Sequence, residues 1–233
     1  MVGQPENATQ FDYQKSLKPE KPSNLPRFYH VDRYINRPLA GLVAKAAART
    51  SLTPNHITVA GFFVGAAGSA FYLGGTHRGF IIAGLLIYFS TILDGADGML
   101  ARAKNLGTRY GAYLDLYLDR VLDCLVLGAM VTGYYHQSGR LGFYILSLFG
   151  LTAYMLMTVV YYIEREWKMM LTGSGAGGQH RGLVYLGILA FSLVNRLDIL
   201  IAILLCVPPL NIVYRFIRFW IVQRPPERPE PRA

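Results

Sequence analysis

Charge is scarce in this chain. Only 16% of its 233 residues are Asp, Glu, Lys or Arg, against 52% hydrophobic, and its mean hydropathy is positive at +0.28. That excludes an intrinsically disordered chain. It is apolar for a soluble domain and ordinary for one bundle of membrane helices. Cysteine is nearly absent: Cys124 and Cys206 both lie in apolar runs, which excludes a disulfide framework and reads as two core residues. No signal peptide is visible, because the first long apolar run follows about fifty mixed residues. His77, His136 and His180 show no metal-ligand spacing with cysteine or with one another. The glycine-rich run at 173–178 lacks the Lys-Ser/Thr that completes a phosphate cradle, so it reads as a flexible loop. Acidic residues are outnumbered, giving a net charge of +9. In so apolar a chain that excess points away from nucleic acid and toward an anionic lipid surface or a phosphorylated substrate.

What is present is a succession of apolar helical segments. Residues 1–27 are polar, contain Pro5, Pro19, Pro22 and Pro26, and read as a flexible cytoplasmic tail. In 28–50, Ile35, Leu39, Leu42, Val43 and Ala46 recur at helical spacing while Arg33, Arg37, Lys45 and Arg49 fall mostly elsewhere. That pattern predicts an amphipathic helix lying in the membrane interface, with a helix packed on its own domain as the other reading. Six apolar segments follow, near 54–75, 79–101, 108–134, 141–163, 181–195 and 198–221. Most approach the ~20 residues that cross a hydrocarbon core; the fifth is short, and its boundary at Asn195-Arg196 is the least defined. Pro54 suits a first helical turn, and Pro208-Pro209 should bend the last helix. The expected fold is therefore all-α, a polytopic bundle of six transmembrane helices preceded by an interfacial helix. Residues 51–222 form the membrane domain and 223–233 a Pro/Arg tail.

Lysine and arginine orient the bundle. Eight precede the first segment, three lie between the second and third (Arg102, Lys104, Arg109), three around the fourth connection (Arg165, Lys168, Arg181) and five at the C-terminal end. The opposite side receives Arg78, Arg140 and Arg196, and Arg120 lies inside the third span. Such asymmetry predicts an integral membrane protein with both termini in the cytoplasm, at the cell membrane if the source is prokaryotic.

One stretch breaks the apolar pattern: LDGADGMLARAKNLGTRYGAYLDLYLDR, residues 93–120. Asp94 and Asp97 are three apart and Asp115 and Asp119 four apart, so each pair occupies one helix face. A short turn at 105–108 makes the two helices antiparallel neighbours, and the acidic faces can meet. Carboxylates buried together without a cation would cost several kcal/mol each. Arg102, Arg109 and Arg120 could neutralise them in an ion-pair network. Hard divalent cations fit an all-oxygen cluster better, and two of them bridged by carboxylates handle phosphate. Gly95, Gly98, Ala101, Gly107, Gly111 and Ala112 remove bulk from the acidic faces, leaving room for a ligand or for close helix packing. Asp123 continues the series and reads as a structural partner of Arg120.

Asp94, Asp97-Gly98, Ala101-Arg102, Gly111, Asp115 and Asp119 together resemble the D-x2-D-G-x2-A-R-x8-G-x3-D-x3-D motif of the CDP-alcohol phosphotransferase (CDP-alcohol phosphatidyltransferase) family, every spacing intact. Leu52-Thr53-Pro54-Asn55 through Thr58 looks like the start of that family's first membrane helix. The resemblance implies a six-helix membrane enzyme, usually a homodimer, whose pocket opens to the cytoplasmic leaflet. Such enzymes displace CMP from a CDP-linked donor with an acceptor alcohol. It implies Asp94, Asp97, Asp115 and Asp119 as ligands of two Mg2+ or Mn2+ ions, and Asp119 as general base. Asp97, Gly98, Ala101, Arg102 and Gly111 would form the donor site, with Arg102 pairing with a carboxylate or touching phosphate.

A poor nucleophile such as an alcohol needs a base within hydrogen-bond reach, and a pyrophosphate donor needs its charge neutralised. For a phosphorylated acceptor the available cations are Lys104, Arg109, Arg165, Lys168, His180 and Arg181. The shared motif leaves open a phospholipid synthase or a synthase joining CDP-inositol to a soluble inositol phosphate. A divalent-cation transporter is the reading from another class, but its acidic residues would have to line a through-path.

Overall fold

The computed structural model describes residues 32–172 and 181–222, and within these the side chains of 34–163 and 182–217. The tails at 1–27 and 223–233, the glycine run at 173–178 and His180 lie outside the described residues. A π-helical turn, Asp32–Asn36, leads into α1 (Arg37–Ala48), followed by α2 (Pro54–Tyr72), α3 (His77–Ala103), α4 (Arg109–Ser138), α5 (Leu141–Thr172), α6 (Arg181–Leu193) and α7 (Leu197–Val222). The fold is all-helical over the described residues, as the apolar periodicity predicts.

Threonine starts three of the helices. Thr53, Thr76 and Thr108 each adopt an extended backbone at the N-cap. Thr76 Oγ1 accepts from Gly79 N at 3.2 Å and Thr108 Oγ1 from Gly111 N at 2.9 Å. Thr53 forms a reciprocal box with His56, whose Nδ1 accepts from Thr53 N at 3.3 Å. These contacts satisfy amide donors that a helix start leaves without an intrahelical partner. Connections are equally specific: Asn105 (φ 54°) and Asn195 (φ 55°) take the left-handed conformation that asparagine tolerates, and Gly139 (φ 67°) ends α4. The break at Asn195 confirms the division between the last two apolar segments. α7 continues through Pro208 and Pro209 as one helix.

The helices bury one another through two clusters. Tyr72, Phe80, Ile87, Val126, Met130, Ile188, Leu197 and Ile201 form the larger, linking α2, α3, α4, α6 and α7. Ala40, Ala44, Ala47, Ile57, Ile92, Ala96, Met99 and Leu100 form the second, where α1 docks on α3. α1 turns its small residues inward and leaves Leu39 and Leu42 exposed, as the preceding turn leaves Tyr34 and Ile35. Tyr88 donates to Asn36 Oδ1 at 2.7 Å and fixes the approach of α1 to α3.

Among the described residues, three helical stretches are long and apolar enough to cross a membrane: His77–Ala103, Leu141–Ile163 and Leu197–Ile217, with Gly182–Leu193 apolar but shorter. α2 lacks apolar bulk because glycine, alanine and polar residues fill much of it, and α4 carries charge along its first half. The outer faces of α5 and α7 expose Phe149 (69%), Leu210 (68%) and Phe216 (70%), a make-up suited to lipid contact. Both cysteines correct an expectation: they are exposed, not in the core. Cys124 Sγ instead lies 3.7 Å from Met155 Sδ across α4 and α5.

Glycine is required where backbones nearly touch. A Cβ at Gly133 would sit 2.0 Å from Tyr72 O, a backbone atom that cannot swing aside, whereas one at Gly128 on the same helix would meet nothing within 4 Å. Gly133→Ala should therefore lower the thermal unfolding midpoint in detergent, through a loss of about 1–3 kcal/mol. Gly128→Ala should leave the midpoint unchanged or raise it, by up to ~1 kcal/mol of helix propensity.

Candidate active site

The second half of α3 and the first half of α4 each pack against α2 and scarcely touch one another, which corrects the expected antiparallel pairing; it is their acidic side chains that converge beyond the turn at 104–108. One carboxylate oxygen each from Asp94, Asp115 and Asp119 lies within 4.8 Å of the other two. This gathers three of the four predicted metal ligands. The fourth, Asp97, is 6% exposed and accepts a hydrogen bond from Thr58 Oγ1 on α2. It stays within the electrostatic reach of Asp94 and Asp115. Thr58 has one hydroxyl proton and two acceptors, Pro54 O at 3.1 Å and the Asp97 carboxylate; the charged acceptor forms the stronger bond.

The small residues divide by role. A Cβ on Gly111 would meet Asn55 Oδ1 at 2.8 Å, so this glycine admits the first turn of α2 against the first turn of α4. One on Gly98 would meet Arg102 Nη1 at 3.3 Å, which places the guanidinium over that glycine. Gly95 serves packing instead: its Cβ position is 3.1 Å from Ala40 Cβ of α1. Gly107 has open space around it. Ala101 is half-buried and Ala112 exposed.

Several cations lie around the cluster. Arg102 is half-buried within reach of the charges of Asp97 and Arg37. Lys104 Nζ donates to Thr50 O at 3.3 Å, and Arg109 is exposed at the start of α4. The side chains of Arg165, Lys168 and Arg181 lie outside the described residues. Arg120 Nη1 pairs with Asp123 Oδ2 at 2.9 Å, as the sequence predicts, and its Nη2 stands 3.9 Å from Asp119 Oδ2.

A small recess opens beside Asp94 and Asp119, lined also by Thr58, Gly61, Ser90 and Tyr185. Thr58, Asn55 and Tyr185 are the contributors that the motif alone does not identify. Thr58 is 39 residues from Asp97 and Tyr185 is 62 from its partner Asp123.

Three carboxylate oxygens with no nitrogen or sulfur among them make a hard donor set, suited to magnesium, manganese or calcium. At metal–oxygen distances of about 2.0–2.1 Å, oxygens on opposite sides of one ion are ~4 Å apart. A separation within 4.8 Å is close enough for an ion to draw the groups together. The donor set fits a divalent cation.

Comparison with known proteins bears on the family and the fold. A family model described as CDP-alcohol phosphatidyltransferase matches residues 51–221. The chain is 32% identical over 156 residues to a bifunctional IPC transferase and DIPP synthase of Archaeoglobus fulgidus, covering 67% of this chain and 29% of that protein. It is 34% identical over 92 residues to an archaetidylinositol phosphate synthase of Pyrococcus horikoshii, covering 39% and 47%. The matched stretch thus spans less than half of either relative. Among solved structures, the fold is similar to Mycobacterium tuberculosis phosphatidylinositol phosphate synthase with CDP-DAG bound, with a TM-score of 0.61 and 20% identity over 83% of this chain and 98% of that one. The same enzyme in complex with manganese and citrate gives a TM-score of 0.62 at 22% identity, covering 83% and 93%.

The Thr58–Asp97 contact can be tested apart from activity. Thr58→Val keeps the shape and removes the donor to a buried carboxylate, a bond to a charged group worth about 1.5–3 kcal/mol. The thermal midpoint in detergent should fall in Thr58→Val and stay near wild type in Thr58→Ser, which keeps the hydroxyl.

Proposed function

The chain belongs to the CDP-alcohol phosphatidyltransferase family, and from that premise we propose that it transfers a substituted phosphate group from a CDP-linked donor to an acceptor alcohol with release of CMP, in phospholipid biosynthesis. The observation that carries the reading is the meeting of Asp94, Asp115 and Asp119 beside a recess between the helices.

Asp94, Asp97, Asp115 and Asp119 would hold two Mg2+ or Mn2+ ions, whose charge offsets that of the donor pyrophosphate and of the departing CMP. Gly98, Ala101 and Gly111 leave space for the cytidine diphosphate, and Arg102 adds a cation at its edge. Asp119, at the recess, takes the proton from the acceptor hydroxyl. The acceptor oxygen then forms a bond to the phosphorus that carries the donor's alcohol. The bond from that phosphorus to the bridging oxygen breaks, and its electron pair leaves on CMP. Lys104, Arg109, Arg165 and Arg181 are the cations assigned to a phosphorylated acceptor.

In the same reading the bundle crosses the membrane six times, with α2, α4 and α6 joining the three apolar spans. α1 lies in the interface with Tyr34, Leu39 and Leu42 toward lipid. Both termini and the site face the cytoplasm, and the enzyme works as a homodimer. The Archaeoglobus relative, a bifunctional IPC transferase and DIPP synthase matched over 67% of this chain, supports a second reading in which CDP-inositol and inositol phosphate give a soluble phosphodiester. The two readings share their chemistry and differ in whether a substrate carries a lipid.

The test is CMP release by the purified protein with Mg2+ or Mn2+, pairing CDP-diacylglycerol, CDP-inositol, CDP-choline and CDP-ethanolamine with inositol phosphate and lipid alcohols. One pairing should release CMP in a metal-dependent way, and Asp115→Asn should abolish it. Absence of release from every pairing, with cation flux in liposomes, would overturn the assignment in favour of a transporter. Among the aspartates, Asp119→Asn should abolish turnover while keeping donor binding better than Asp94→Asn does. Equal loss of binding in the two variants would remove the separate base role of Asp119.

A further inference from the structure

α6 reaches the acidic cluster without contributing a carboxylate to it. Tyr185, 3% exposed and one turn into that helix, donates its hydroxyl to Asp123 Oδ1 on α4. The other oxygen of Asp123 holds Arg120 Nη1 at 2.9 Å, and Arg120 Nη2 lies 3.9 Å from Asp119 Oδ2. The Arg120 guanidinium also stands over the Tyr162 ring of α5, 5.8 Å from its centroid. Tyr185 and Asp119 line the same recess.

Each link constrains the next for a physical reason. Asp123 is 2% exposed, and a carboxylate so buried needs both a countercharge and hydrogen-bond donors. Arg120 supplies the first and Tyr185 a donor, so neither can leave without stranding the charge. Arg120, held on one side by Asp123 and packed on an aromatic face, has little freedom in where its second amino group lies. Asp119 shares a 4.8 Å neighbourhood with two other carboxylates, which repel it. Arg120 brings a cation to 3.9 Å from it.

We infer that Tyr185 is a positioning residue for the reaction: through Asp123 and Arg120 it fixes the Asp119 carboxylate at the recess, tying the seat of α6 to the group that receives the proton. The inference rests on the transferase reading above, and it gives α6 a function beyond filling the bundle. α6 begins at Arg181, one of the acceptor cations predicted from sequence. The chain Tyr185–Asp123–Arg120–Asp119 therefore links the start of that helix to the opposite wall of the recess.

The test compares wild type, Tyr185→Phe, Arg120→Lys and the double variant, reading three quantities: kcat and donor KM for CMP release at saturating Mn2+, the Mn2+ dissociation constant by electron paramagnetic resonance, and the thermal midpoint. Tyr185→Phe should lower kcat and weaken Mn2+ binding by about tenfold, the scale on which groups that orient metal ligands act, with donor KM close to wild type and the midpoint lowered because buried Asp123 loses a donor. Arg120→Lys should show the same pattern. The double variant should lose no more than the worse single, because both act along one route. Wild-type kcat in Tyr185→Phe, additive losses, or a kcat loss accompanied by an equal rise in donor KM would overturn the inference. A wild-type protein that releases no CMP from any pairing would overturn the transferase reading instead. The Mn2+ arm then decides the inference: a tenfold weaker constant in Tyr185→Phe upholds it, and a wild-type constant or no Mn2+ binding by either protein overturns it.

Discussion

Holding three carboxylates within 4.8 Å of one another at one end of an apolar bundle is the constraint on which the surrounding structure depends. Like charges at such separations repel on the order of a few kcal/mol per pair where the effective dielectric is about 20. The groups stay together because the helices that carry them cannot move apart. α3 and α4 are joined by a turn that Asn105 closes in the left-handed conformation, and both are clasped by α2. The acidic site is therefore a product of helix packing, and its electrostatics are set by how tightly those helices approach.

That approach is made by residues with little or no side chain. On α2, a Cβ added at Gly61 would meet Leu93 Cβ at 3.2 Å, at Gly65 the Leu122 methyls at 2.7–2.8 Å, and at Gly68 Ile87 Cγ1 at 3.0 Å. From the α4 side Gly133 receives the Tyr72 carbonyl. With no side chain between them the helices lie close along their length, and only then does Thr58 reach Asp97 and Asn55 reach Gly111. Packing far from the carboxylates thus determines which hydrogen bonds the carboxylates receive. Ser90 extends the same logic: its hydroxyl donates to Gly61 O at 2.7 Å, joining α3 to α2 where glycine exposes the carbonyl.

The helices and the acidic cluster were legible in the sequence because local rules govern both. Spacings of three and four fix which aspartates share a face, and the short turn keeps the two faces at one end of the bundle, where α2 packs against both helices. What escaped the reading depended on distant contacts. Four aspartates look equivalent along the chain, yet Asp97 takes a partner 39 residues away and lies apart from the trio. Gly95, expected to share in making room for a ligand, is where Ala40 of α1 packs. The cysteines were misplaced for another reason. In a helix apolar on every side, hydrophobicity no longer distinguishes core from periphery, so an apolar run says nothing about which way Cys124 or Cys206 faces. α2 and α4, whose glycine and charge set them apart from the three apolar spans, both pack around the site.

α1 shows how the two surfaces of this protein depend on each other. Its inward face is alanine and glycine, with Ala40, Gly41, Ala44 and Ala47 buried, while Leu39 and Leu42 turn away from the bundle. A soluble helix would place its leucines inside. Here small residues allow α1 to lie close on α3, within one turn of Asp94 and Asp97, and the Asn36–Tyr88 bond prevents it from sliding. The larger apolar side chains are consequently left for whatever surrounds the bundle. If that surrounding is a lipid interface, as the proposed arrangement requires, then the force that draws Leu39 and Leu42 outward also presses Ala40 against Gly95. Insertion at the membrane surface and closure of the wall beside the carboxylates become one event, driven by the same burial of apolar area.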